Sequence, residues 1–196
     1  MQDIKITAEP QDASRCKFTV DRPVYPGGSA YFSDEDRATG SPLAEKLFGL
    51  EGVDSVLVQD NVVTVNAETD GDWLPLAKQI GTIIREVLGS GEKPVSDTLL
   101  DSLPPEDDIK KRVQAVFDRD INPAIAMHGG FVELIDVKGN EVFIRMGGGC
   151  QGCGMADVTL KQGIEKSIRQ MVPEVGAIMD TTDHAAGRNP YYQPAK

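Results

Sequence analysis

The chain has 196 residues, 40% of them hydrophobic, enough for one ordinary domain or two small ones with modest cores. Its formal net charge of −11 repels phosphate backbones and anionic membranes, which sets nucleic-acid and membrane-surface roles aside. Residues 1–30 lack the basic start and unbroken apolar run of a secretion signal, and no stretch is long enough to span a bilayer, so the expectation is a cytoplasmic, soluble protein.

In chain order, Cys16, Phe18 and Val20 alternate with polar neighbours as one face of a strand, and Tyr31-Phe32 suggests a short second one. Ser41-Pro42 reads as a helix start, a capping hydroxyl followed by the preset φ of proline. Leu43, Leu47, Phe48 and Leu50 then line an apolar face that Gly52 closes. Strands are expected at Val53–Val58 and Val62–Ala67, joined as a hairpin through Gln59-Asp60-Asn61. Asp72 can cap a longer helix with Leu76, Ile80, Ile83, Ile84 and Val87 at three- and four-residue spacing, ending at Gly89.

From about residue 89 to 105 the run GSGEKPVSDTLLDSLPP replaces this periodicity with glycine, serine, proline and acid, the mark of a linker. Its Leu99 and Leu100 suit a short helix packed on one domain, or a recognition patch. Beyond Pro105, acidic Glu106, Asp107 and Asp108 complement a helix N-terminus, and Ile109, Val113, Val116 and Phe117 form its buried stripe. Pro123 stops or deflects that helix, and Phe131–Val137 and Glu141–Met146 form a hairpin about Lys138-Gly139-Asn140. Leu160, Ile164, Ile168 and Met171 mark a long helix ending near Pro173, and Val175–Met179 a last strand. Strand, helix, strand is the usual connection of parallel pairing, which puts the intervening cysteine loop at the C-terminal end of the central strand. The tail from Asp180, with His184, Tyr191 and Tyr192, shows no period.

Three cysteines are too few for a disulfide framework, and an odd count argues against structural pairing. Cys150-Gln151-Gly152-Cys153 can aim two sulfurs at one metal centre at a helix start, and Gly147, Gly148, Gly149, Gly152 and Gly154 free the backbone to curl around an inorganic sulfide. The helix end offers a thiolate about 1 kcal/mol, which leaves most thiol protonated at neutral pH, whereas coordinated iron ionises it outright. Iron–sulfur clusters generally take four thiolates and this region owns two, so a second copy of the chain is the simplest source of the others.

MGGGCQGCGMADVTLKQGIEK, Met146 to Lys166, resembles the core motif of Nfu-type (NifU C-terminal) cluster carriers, with Asp120-Ile121-Asn122-Pro123 and His128-Gly129-Gly130 upstream and Pro173-Glu174-Val175 downstream. Ser41-Pro42-Leu43-Ala44, Leu47-Phe48, Glu51-Gly52-Val53, Val56, Thr64-Val65 and Asp72-Trp73 likewise resemble the Nfu N-terminal domain. The fold expected is α+β, two small α/β domains joined by an acidic Pro/Ser-containing linker. The first is Nfu N-terminal-like (1–90), then come the linker (91–104), an α-β-β-α-β NifU C-terminal-like cluster-binding domain (105–183) and an irregular tail (184–196). The resemblance implies a non-enzymatic carrier whose [4Fe-4S] cluster bridges a homodimer through Cys150 and Cys153, with a [2Fe-2S] form as the alternative. It implies apo iron–sulfur proteins as acceptors and an upstream scaffold as donor. His128, where many relatives are acidic, and Cys16 depart from the family pattern.

Other candidates have plainer readings. Cys16 is expected as a buried small hydrophobe, His128 as a hydrogen-bonded structural histidine outside the metal site, and His184 as a solvated tail residue. Gly129 and Gly130 either approach the cysteine loop or simply turn the chain; Met127 and Met155 are expected to fill gaps, and Trp73 to lie in the core. Two rival functions use the same cysteines. A thiol–disulfide oxidoreductase would use CxxC at a helix start, though here glycine replaces the expected aromatic neighbour, and a zinc-stapled interaction module would draw thiolates from two chains or recruit His128.

Overall fold

A computed structural model describes residues 4–148 and 154–181, the helix residues 154–159 by backbone alone. The chain divides into two compact units, Met1–Ser102 and Leu103–Lys196. Both mix helix and sheet, so the fold is α+β with two small domains.

The first unit holds a five-stranded antiparallel sheet ordered β1-β2-β5-β4-β3, formed by β1 (Ile6–Pro10), β2 (Arg15–Val20), β3 (Tyr25–Phe32), β4 (Val53–Asp60) and β5 (Val62–Ala67). Period-two alternation decides the buried face: Cys16, Phe18 and Val20, Val56 and Val58, and Val63, Val65 and Ala67 all lie inside. After the short α1 (Glu35–Ala38), Leu43 and Leu47 of α2 (Pro42–Phe48) and Ile80, Ile84 and Val87 of α3 (Leu74–Ser90) complete that core. Each such burial contributes about 1.5–3 kcal/mol relative to exposure.

Several boundaries differ from the sequence reading, each for a local reason. β1 and most of β3 were not expected because Pro10 and Pro26-Gly27-Gly28 interrupt the alternation; both strands lie at sheet edges, where proline and glycine are tolerated, and the β3–β4 register shifts across that glycine pair. β4 runs on to Asp60, whose φ of 47° makes the hairpin tighter than a three-residue loop. α2 ends at Phe48 with Gly49 as its cap, and Gly52, at φ 84°, instead turns the chain into β4, where a Cβ would lie 2.9 Å from the Glu68 carbonyl oxygen. α3 continues through Gly89 to Ser90, and Gly91 provides its left-handed cap.

The stretch after α3 is built into the first unit. Val95 is buried, Leu43 N–H donates to the Pro94 carbonyl (3.0 Å), and Ser96 N–H donates to Ser41 Oγ (3.1 Å). α4 (Thr98–Asp101) lays Leu99 and Leu100 on the core, Leu100 reaching within 2.8 Å of where a Cβ on Gly28 would be. Burial, with Asp97 and Asp101 nearby, pushes the Tyr25 phenol pKa up.

The second unit begins with α5 (Glu106–Val116), whose Ile109, Val113 and Val116 face inward with Phe117. One π-helical turn, Phe117–Ile121, joins it to α6 (Asn122–Ala126). That wider turn brings the chain up to Pro123, which cannot donate to the ladder and sits in the first turn of α6, so the proline does not end the helical run. β6 (Gly130–Lys138) and β7 (Glu141–Gly148) pair antiparallel, and α7 (Gly154–Met171) leads to β8 (Ile178–Asp180), parallel to β7, in the sheet order β6-β7-β8. β8 is three residues long because Val175 and Ala177 are buried in the loop before it, where Gly176 N–H donates to the Asn140 carbonyl. The helix face ends on buried Val172; Met171, expected inside, is about half exposed. No described helix is long and apolar enough to cross a membrane.

Candidate functional site

The central strand β7 ends at Gly148 and α7 begins at Gly154, so residues 149–153 join the two. Cys150 and Cys153 belong to this segment and lie outside the described residues, as does His184. Gly130 pairs with Gly148 and Phe131 with Gly147, so the turn carrying His128 and Gly129 sits across from the strand end that leads to the cysteines.

Two glycines there are closely packed, and one of them, Gly148, is a steric necessity. Gly148 has φ 66°, and a Cβ on it would stand 2.1 Å from the Gly129 carbonyl oxygen. A Cβ on Gly147 would stand 2.1 Å from Cζ of Phe131. Gly129, itself at φ 70°, closes the turn after α6, with its N–H donating to the Ala126 carbonyl and His128 N–H to that of Ile125. The strand end that leads to the cysteines is therefore packed closely, Gly148 against backbone and Gly147 against the Phe131 ring.

Asn122, part of the upstream motif but assigned no job by sequence reasoning, fastens this turn to the sheet. Its Nδ2 donates to the Val132 carbonyl (3.0 Å) and its Oδ1 accepts from Val132 N–H (2.8 Å), satisfying both backbone groups of Val132 on edge strand β6. A side-chain amide opposite a buried valine is the only sequence signal that could have pointed to the clamp, and it is invisible without the pairing.

The neighbouring groups are mostly exposed. The Arg119 guanidinium beside Asp120 (2.9 Å) holds that carboxyl below its usual range, but the pair is exposed and so adds little stability. Glu133 and Arg145 pair across the two strands. His128 is exposed, and Met127 is 81% exposed rather than filling a gap. Cys16 is wholly buried in the core of the other unit, where burial pushes its thiol pKa up to about 11, the behaviour of a packed hydrophobe. Trp73 is buried as expected, its Nε1 donating to the Asp12 carbonyl. Among the described residues no group of three or more His, Cys, Asp or Glu could hold a metal ion.

Two family models match the chain. Residues 113–179 fit the NifU-like domain, and residues 4–91 fit the N-terminal domain of scaffold protein Nfu/NifU. Among curated relatives, the Fe/S biogenesis protein NfuA of Stenotrophomonas maltophilia (strain K279a) is 55% identical over 82 residues, 41% of each chain. The protein of the same name from Pseudomonas aeruginosa (strain LESB58) is 47% identical over 85 residues, 43% of this chain and 44% of its own. The chain thus spans less than half the length of the curated relatives it matches. The solution structure of a NifU-like protein from Saccharomyces cerevisiae aligns at 24% identity with a TM-score of 0.42, over 48% of this chain and 85% of that one. With one model on each side of the Ser102/Leu103 division, the chain belongs to the Nfu-type, NifU-like family and carries the Nfu N-terminal domain ahead of its NifU-like domain.

Proposed function

We propose that this protein is an iron–sulfur cluster carrier that holds a [4Fe-4S] cluster between two copies of the chain, each contributing Cys150 and Cys153, and hands it to apo-proteins. The observation that carries this reading is the glycine-only junction of Gly129, Gly147 and Gly148, which delivers a CxxC segment from the end of a central strand to the start of an 18-residue helix. The names of the relatives, Fe/S biogenesis proteins, support it. Two thiolates per chain leave a cluster half-satisfied, so a two-fold arrangement supplies four, and the cargo leaves when an acceptor's thiols replace one pair. The chain acts as a binding protein rather than an enzyme, receives its cluster from an upstream scaffold, and works in the reducing cytoplasm, where its thiols stay free.

Anaerobic reconstitution tests the reading. Wild-type protein is expected to take up about four irons and four sulfides per dimer, with mass doubling on loading, and to activate an apo [4Fe-4S] enzyme faster than free iron and sulfide do. Cys150→Ser or Cys153→Ser removes the cluster and the loaded dimer. A colourless monomer that retains zinc would overturn the proposal.

A further inference from the structure

We propose that Phe131 is a positioning residue for the Cys150–Cys153 segment, its ring laid on Gly147 to fix the strand end from which that segment departs. The inference deepens the carrier reading above and rests on it for the identity of the cargo.

Phe131 is a large apolar side chain left 45% exposed on an edge strand, next to buried Val132. It is spent on its cross-strand partner. The tip of the ring occupies the volume a side chain at Gly147 would fill, with Cζ 2.1 Å, Cε1 2.6 Å and Cε2 2.7 Å from the Cβ position. Glycine is the least restrained residue in a strand, and an aromatic ring across the pair restores the contact it lacks. The restraint comes at a particular place: Gly148, in the left-handed region, follows at once, and Cys150 is two residues beyond it. Holding Gly147 under the ring, and Gly148 against the Gly129 carbonyl, narrows the directions in which the cysteine segment can leave the sheet.

The test is thiol alkylation of the full-length apo-protein, resolved by mass, beside the lifetime of the reconstituted cluster under a chelator. Fully buried Cys16 serves as the unreactive reference thiol. Phe131→Ala and Gly147→Ala are each expected to speed alkylation of Cys150 and Cys153, and to shorten cluster lifetime, by roughly fivefold or more, the scale on which a local opening responds to one lost contact. Phe131→Tyr keeps the ring and is expected to match wild type. Wild-type alkylation and cluster lifetime in Phe131→Ala would overturn the inference, as would faster alkylation matched by equally faster hydrogen exchange throughout the second unit. Should Phe131→Ala not fold, Phe131→Leu, apolar but too short to cover Gly147, decides by the same two readouts. If wild-type protein binds no cluster the carrier reading falls, and the alkylation comparison alone decides the place of Phe131.

Discussion

Gly148 shows how much one missing β-carbon settles. Alanine there meets both a left-handed backbone and a carbonyl oxygen 2.1 Å away, so Gly148→Ala is expected to destabilise the second unit by about 1–3 kcal/mol, read by chemical denaturation, and to lower cluster loading. Cys16 behaves oppositely, because its thiol matters to packing alone. Burial raises its pKa from 9.0 to about 11, so the folded state favours the neutral thiol. That contribution is intact below pH 9 and is lost as pH rises through about 11. Denaturation of wild type against Cys16→Ala should show the stability difference shrinking across that window, with cluster loading unchanged by the substitution. Glycine runs and the CxxC were plain in the sequence; which glycine faces a carbonyl and which faces a ring depended on the register of β6 against β7.

At the scale of elements, the helical run from Glu106 to Ala126 positions the site through the π turn and Asn122. The π turn carries the helical run on to Pro123, and Asn122 then binds both free backbone groups of Val132. Asn122→Ala leaves that N–H and carbonyl unpaired beside a buried side chain and is expected to cost about 1–3 kcal/mol in denaturation of the second unit. Asn122→Asp, which keeps the acceptor but loses the donor, should recover only part of it. The 3.6-residue stripe of α5 and the alternation of β2, β4 and β5 were legible because burial on one face leaves a period in sequence. β1, β3 and the π turn were not, since an edge position and a single widened helical turn leave none.

For the whole molecule, the stretch read as a linker divides unequally. Pro94 to Asp101 is packed on the first unit, so the connection narrows to the residues around Ser102-Leu103-Pro104-Pro105, which have no regular structure. Limited proteolysis is expected to cut first near this stretch and to leave an N-terminal fragment that retains Val95 and Leu100, as mass spectrometry would show; early cleavage between Pro94 and Ser96 would contradict the packing.

The sequence by itself determined the α+β class, two domains and the candidate ligands, because hydrophobic period, turn chemistry and a pair of cysteines among glycines are written in neighbouring residues. Only the tertiary structure decided that Leu100 fills the notch at Gly28, that Asn122 clamps Val132, and that Phe131 covers Gly147. Each of these joins residues ten or more positions apart, and such contacts are chosen by strand register and packing, which no local pattern encodes.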